Sequence, residues 1–300
     1  MSRRIIYFVN PISGTRDKDV LVKKLEERTT LQGIPFEILT TRADGNYYFL
    51  KEKISREQIT DIVICGGDGT ISQVAGTLLE EDISIGIIPM GSGNGLALAA
   101  KIPKQTDKAL DIIFTGKGAY IDSFFINGTF SCMLCGLGFD AQVAHDFAQK
   151  PGRGLVTYIK QTVLNFINVQ PWSFDIVNKG KSFNTSAYFI SIANSNQFGN
   201  QFTIAPKASL NDGLLDIIIV KKMSKLRFIW AVIQQMRNGK IKEYDEKTFH
   251  KIEVLYFQTD KLMIYNLDEA PLHIDGDPSR TTKRFVVEII KDAFKLIQPR

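Results

Sequence analysis

Four runs of consecutive apolar, mostly β-branched residues recur in the first third of the chain: Arg4 to Val9, Phe36 to Thr40, Asp61 to Cys65 and Ile83 to Ile88. Between and after them the apolar positions return every three or four residues, over Val20 to Leu31, Tyr47 to Arg56, Ile71 to Leu79, Leu96 to Ala100 and Thr106 to Phe114. Strands covered on both faces need continuous apolar runs, and the helices that cover them need one apolar stripe each. The alternation therefore predicts an α/β region built on a doubly wound parallel sheet, which binds its ligands at the carboxyl ends of the strands.

From about Tyr120 the pattern changes. Asn127 and Gly128 separate Ile121 to Ile126 from Thr129 to Leu137, and Lys179 and Gly180 separate Trp172 to Val177 from Ser182 to Asn194, as hairpin turns do. Leu214 to Val220, His250 to Phe257, Leu262 to Asn266 and Phe285 to Ile290 read as further strands, so this part is antiparallel β, a sandwich or a flattened barrel. Two amphipathic helices interrupt it, with stripes Leu155, Ile159, Val163, Phe166, Ile167 and Leu226, Ile229, Trp230, Ile233, Met236. Such stripes face a core, or a lipid surface where basic residues surround them, as Lys221, Lys222, Lys225 and Arg227 do near the second. Two domains follow, with boundaries expected at 1–120 plus a returning tail 291–300, and at 121–290.

Composition adds limits. Of 300 residues 44% are hydrophobic and 23% charged, which describes a globular chain, and a net charge of +5 is too small to indicate nucleic acid. No stretch reaches the roughly 18 apolar residues of a membrane span, and the apolar run behind the N-terminal arginines is too short for a signal peptide, so a cytoplasmic location is expected. The odd cysteine count fits a reducing compartment. Cys132 and Cys135 form a C-x-x-C, but FSCMLCGLGF reads as a strand, and without a second such pair they are expected to be buried apolar residues.

Candidate chemistry centres on DIVICGGDGT, Asp61 to Thr70, where the third strand turns through glycines into a helix. Backbone N–H groups at such a corner can approach a phosphate, and the helix N-terminus favours an anion. Asp68 inside the corner would repel phosphate unless a divalent cation lay between them. Glycine- or serine-rich corners also follow the first strand (Asn10 to Gly14) and the fourth (Gly91 to Gly95). The set implies an extended phosphate-bearing ligand, yet neither a P-loop nor a protein-kinase signature is present, and Gly91, Gly93 and Gly95 miss the dinucleotide spacing. His273, Asp275 and Asp277 alternate as they would along a strand; His145 and His250 have no constellation around them.

NPISG (10–14), GGDGT (66–70), GSGN (91–94), GLGFDA (136–141), APKASLNDGLLD (205–216) and DGD (275–277) resemble, in this order, the motifs of the diacylglycerol kinase and sphingosine kinase catalytic family, closest to its soluble bacterial lipid kinases. The resemblance implies a Rossmann-like nucleotide-binding domain, a β-sandwich lipid-substrate domain with the nucleotide cleft between them, and ATP- and Mg²⁺-dependent phosphorylation of a lipid alcohol at a membrane surface. Carried over by position, Asn10, Pro11, Ser13, Gly14, Thr41, Gly66, Gly67, Gly69, Thr70, Gln73, Ser92, Gly93 and Asn94 bind the nucleotide. Asp68 organises the catalytic Mg²⁺, and Asp212 with the carbonyls of Ser209 and Leu214 holds a structural one. The family's proton acceptor is the Glu of a D-G-E motif; here the position is Asp277, one methylene shorter, with Asp275 as its neighbouring candidate. A sensor that binds nucleotide without catalysis is the alternative, as is an NAD kinase-like enzyme, although that family's Asn-Glu pair is missing. Which lipid is phosphorylated and the oligomeric state are not encoded in these motifs.

Overall fold

Asp61 to Gly66 forms a strand buried along its whole length, β3 (Asp61–Gly66). It lies between β1 (Ile5–Val9) and β4 (Ser84–Pro89), parallel to both, with Asp61 beside Ile5 on one side and Ser84 on the other. The computed structural model describes residues 3–14, 17–148, 169–197, 205, 207–224 and 253–300. The chain divides into two units, Met1–Asp122 with Lys291–Arg300, and Ser123–Ile290.

In the first unit β2 (Phe36–Thr40) pairs with the outer edge of β1, and the end of β15 (Arg284–Gln298) pairs with β4, Lys295 beside Ser84. All are parallel, and α1 (Lys18–Leu31), α2 (Phe49–Glu57), α3 (Asp68–Thr77), α4 (Gly95–Ala99) and α5 (Thr106–Thr115) connect them. The Asp17 carboxylate caps α1 by accepting from the N–H of Asp19 at 2.8 Å. Leu21, Leu25 and Thr29 turn inward, and Thr29 shares a 2.7 Å hydrogen bond with the buried Tyr7 hydroxyl. Arg28 ties α1 to α5 through Asp107 and Asp111.

The second unit is antiparallel. β5 (Lys117–Ile126) enters it and turns at Asn127–Gly128, φ 47° and 79°, into β6 (Thr129–Ser131). β7 (Leu134–Gly138) pairs with the second half of β9 (Lys181–Ala193), whose first half pairs with β8 (Trp172–Asn178). β10 (Leu215–Lys221) lies between β9 and β11 (Val254–Thr259), and β12 (Lys261–Asn266) between β8 and β15. Every second residue, such as Cys135, Leu137, Ile190, Ile192, Ile217 and Ile219, enters one core, as period-two strands require.

Three expectations are corrected. The run Thr129 to Leu137 is not one strand: Cys132 and Met133 leave the ladder, because the N–H groups of Met133 and Leu134 bond to the carboxylate of Asp275. The continuation is helical, α6 (Phe139–Ala148), after a turn at Gly138 with φ 97°. His273, Asp275 and Asp277 do not share a strand but are split by a turn between β13 (Leu272–Ile274) and β14 (Asp277–Ser279). The last strand does not stop at Ile290, since Lys291 onward belongs to the first unit's sheet. The two expected amphipathic helices, with Lys225, Arg227 and His250, fall outside the described residues. Among the described residues no helix is long and apolar enough to cross a membrane.

Candidate active site

The loops after β1, β3 and β4 are laced together at the carboxyl edge of the parallel sheet. Asn10 donates from Nδ2 to the Thr70 hydroxyl at 2.9 Å, joining the first corner to the second, while its Oδ1 accepts from the N–H of Ile12. Ser13 is buried; Pro11 and Gly14 are exposed. Gly14 has φ 66°, and a Cβ there would overlap the carbonyl oxygen of Met90 at the end of β4. A Cβ on Gly91 would stand 2.7 Å from Cα of Gly67. The glycines are therefore fixed by backbone-to-backbone approach.

Gly66 ends β3 against the Thr70 side chain, and Gly67 is the N-cap of α3, with no side chain capping the helix. Asp68, Gly69 and Thr70 fill its first turn. The Asp68 carboxylate spans to the fourth-strand corner, where Oδ2 accepts from the N–H of Gly95 at 3.0 Å and Oδ1 from that of Leu96 at 3.3 Å. Its first service is thus to hold one corner against another. Ser92 and Gly93 lie in the loop before α4. Asn94, the N-cap of α4 at φ 55°, donates to the Gly91 carbonyl, and its buried Oδ1 accepts no hydrogen bond among the described residues. Thr41 follows β2 with its N–H on the Val9 carbonyl, and Gln73 reaches this loop, its side chain 3.3 Å from the position of a Cβ on Gly45.

In the second unit Ser209, Asp212 and Leu214 form the loop before β10. The Ser209 hydroxyl donates to Asn211, the Leu214 N–H to Asp212 Oδ1 at 3.1 Å, and Gln258 makes a long 3.5 Å bond to Asp212 Oδ2. Behind the loop Asp216 is fully buried, bonded by the Tyr256 hydroxyl and by Gln258. Burial pushes the Asp216 carboxyl up to about 6, the neighbouring Asp212 charge adding to the rise. No three His, Cys, Asp or Glu side chains gather as metal ligands among the described residues. The 209–214 loop instead offers the exposed Asp212 carboxylate and carbonyl oxygens, a hard donor set that suits Mg²⁺, next to the buried Asp216 carboxylate, whose repulsion with Asp212 a cation would relieve. The reading from residue types missed Asp216, Tyr256 and Gln258; the signal was an Asp four positions after Asp212 in a run otherwise apolar.

Asp277 opens β14 opposite Ile274 and is exposed. Asp275 is buried in the turn at φ 51°, and its Oδ1 accepts from the Ser131 hydroxyl at 2.7 Å and from two backbone N–H groups. Those bonds make Asp275 a brace and leave Asp277 as the acid presented to solvent. His145 bonds the Leu272 carbonyl at 2.8 Å.

Comparison with known proteins gives the class. Residues 4–126 match the diacylglycerol kinase catalytic domain, and residues 134–294 match the YegS C-terminal NAD kinase beta sandwich-like domain. The chain therefore belongs to the diacylglycerol kinase family in its YegS-like form, a family of lipid kinases. It is 25% identical to the diacylglycerol kinase of Bacillus subtilis over 91% of this chain and 89% of that protein. It is 29% identical to the "Probable lipid kinase YegS" of Escherichia coli O17:K52:H18 over 89% of this chain and 88% of that one. A crystal structure of a diacylglycerol kinase from Bacillus anthracis str. Sterne superposes with a TM-score of 0.73 at 18% identity, covering 99% of this chain and 97% of that one, a likeness of fold.

Proposed function

We propose that the enzyme transfers the γ-phosphoryl group of ATP to a hydroxyl of a lipid alcohol. The observation that carries this reading is the lacing of the corners after β1, β3 and β4 by Asn10–Thr70, Asp68–Gly95 and the Gly67–Gly91 approach. Interlocked glycines on one sheet edge keep backbone N–H groups fixed where a triphosphate can lie, beside the uncapped N-terminus of α3. The loops carrying Asn10 to Gly14, Thr41, Gly66 to Gln73 and Ser92 to Asn94 bind the nucleotide. Asp68 holds a catalytic Mg²⁺, and Asp212 with the carbonyls of Ser209 and Leu214 a structural one. Bound there, Mg²⁺ neutralises phosphate charge. Asp277 accepts the proton of the lipid hydroxyl, and phosphoryl transfer otherwise asks for alignment rather than covalent chemistry from the chain. Because a lipid alcohol lies in a membrane, the enzyme works in peripheral contact with its surface.

Incubation with labelled ATP, Mg²⁺ and fractionated lipids should yield a labelled lipid, and its fraction names the substrate. Asp68→Asn and Asp277→Asn should each lower kcat by about 100-fold or more while remaining folded. A normal rate in Asp277→Asn would remove the proposed base, and a normal rate in Asp68→Asn the proposed metal site.

A further inference from the structure

Asp277 sits on a piece of structure that is weak by itself. β13 and β14 are short strands of three residues each; β14 pairs with β13, which pairs with β7, and α6 packs against both. A two-stranded ribbon of this length is marginal without anchors. The turn joining its strands is Asp275–Gly276, both at positive φ, 51° and 88°. Asp275 is anchored through its carboxylate and through its N–H, which donates to the Leu134 carbonyl at 2.8 Å. That clamp stops one residue short of Gly276, the most permissive residue of the turn and the immediate neighbour of Asp277.

A second clamp acts on Gly276 itself. Its N–H donates to Nδ1 of His273 at 3.3 Å, and His273 is fully buried. An imidazole nitrogen accepts only when it carries no proton, so the neutral ring must hold its proton on Nε2. Nε2 faces the carboxylate of Asp140 in the first turn of α6, 3.4 Å from Oδ2, an electrostatic contact rather than a hydrogen bond. Asp140 is itself buried, with Oδ1 taken by the N–H of Ala141. The room for this pair comes from Gly136, directly opposite His273 in the β7–β13 register. A Cβ at Gly136 would overlap Asp140 Oδ2 and lie 2.6 Å from His273 Nε2.

From this geometry we infer that His273 is a positioning residue for Asp277: the nearby Asp140 carboxylate favours a proton on Nε2, and the unprotonated Nδ1 holds the Gly276 peptide so that Asp277 is presented in one orientation. The inference rests on Asp277 as the proton acceptor and adds what places it. A carboxylate displaced by about 1 Å loses up to 100-fold in rate without loss of nucleotide affinity.

The ring is read directly by ¹⁵N NMR of the labelled full chain, whose three histidines are assigned by single substitution. Nε2–H with a bare Nδ1 at His273 is expected; an Nδ1–H ring or a doubly protonated one overturns the inference without any assay. In kinetics, with ATP, Mg²⁺ and mixed micelles of a total bacterial lipid extract, His273→Leu should lower kcat by about 10- to 100-fold and leave the KM for ATP within about twofold. His273→Asn, whose amide oxygen falls where Nδ1 was, should recover most of that rate. Equal losses in the Leu and Asn variants would mean that the ring only fills space, and an undiminished kcat in His273→Leu would overturn the inference while Asp277→Asn is inactive. A fully active Asp277→Asn overturns the acceptor and this inference together, so the two failures are distinct.

Discussion

Gly14 and Asp275 mark opposite ends of what single residues disclose. Gly14 belongs to a corner that a glycine-rich spacing announces, and its constraint is local and steric: φ 66°, with the Met90 carbonyl oxygen where a Cβ would stand. Gly14→Ala should cost about 2 kcal/mol or more of stability, read as a lowered urea midpoint with an unchanged slope; a midpoint within error of wild type would show that the loop yields freely. Asp275 was legible as a turn former before glycine but not as a brace, because its partner Ser131 is 144 positions away in sequence. No local pattern carries a bond of that span. The same holds for Asp140 and His273, whose meeting depends on a strand register that composition does not specify. Asp68 lies between these cases, since its charge was conspicuous but its hold on the first turn of α4 was not.

At the scale of elements, apolar runs and hairpin turns located most strands because period and turn chemistry are local signals. The break at Cys132–Met133 and the start of α6 were hidden, since FSCMLCGLGF is apolar throughout and the interruption is made by a distant carboxylate. The β10–β11 pair carries a measurable consequence. Asp216 stands opposite Gln258 across that pair, and burial raises its carboxyl from 3.8 to about 6. The folded state then binds a proton that the unfolded chain has released, so this group's contribution is fully present below about pH 4 and is lost as pH rises through about 6. In chelator-treated protein Asp216→Asn should flatten the fall in Tm across that interval. A parent and variant with parallel Tm profiles would mean that Asp216 is not protonated in the folded state.

For the molecule as a whole, Cys65, Cys132 and Cys135 are all buried and form no disulfide, and burial pushes the thiols of Cys65 and Cys135 upward. A thiol reagent at neutral pH should therefore modify none of them in the native protein and all three in denaturant, with a native rate that tracks global unfolding. One fast-reacting thiol would contradict that. The second unit lies between the two segments of the first, and the strand beside β4 is supplied by Lys291–Arg300. This imposes an order on synthesis: as the chain leaves the ribosome, the Ser84–Pro89 edge must wait through the whole of the second unit for its neighbour. During that interval an apolar strand edge stands open to other nascent chains, so yield in the cell should depend on translation speed and chaperone supply more than the finished fold would suggest.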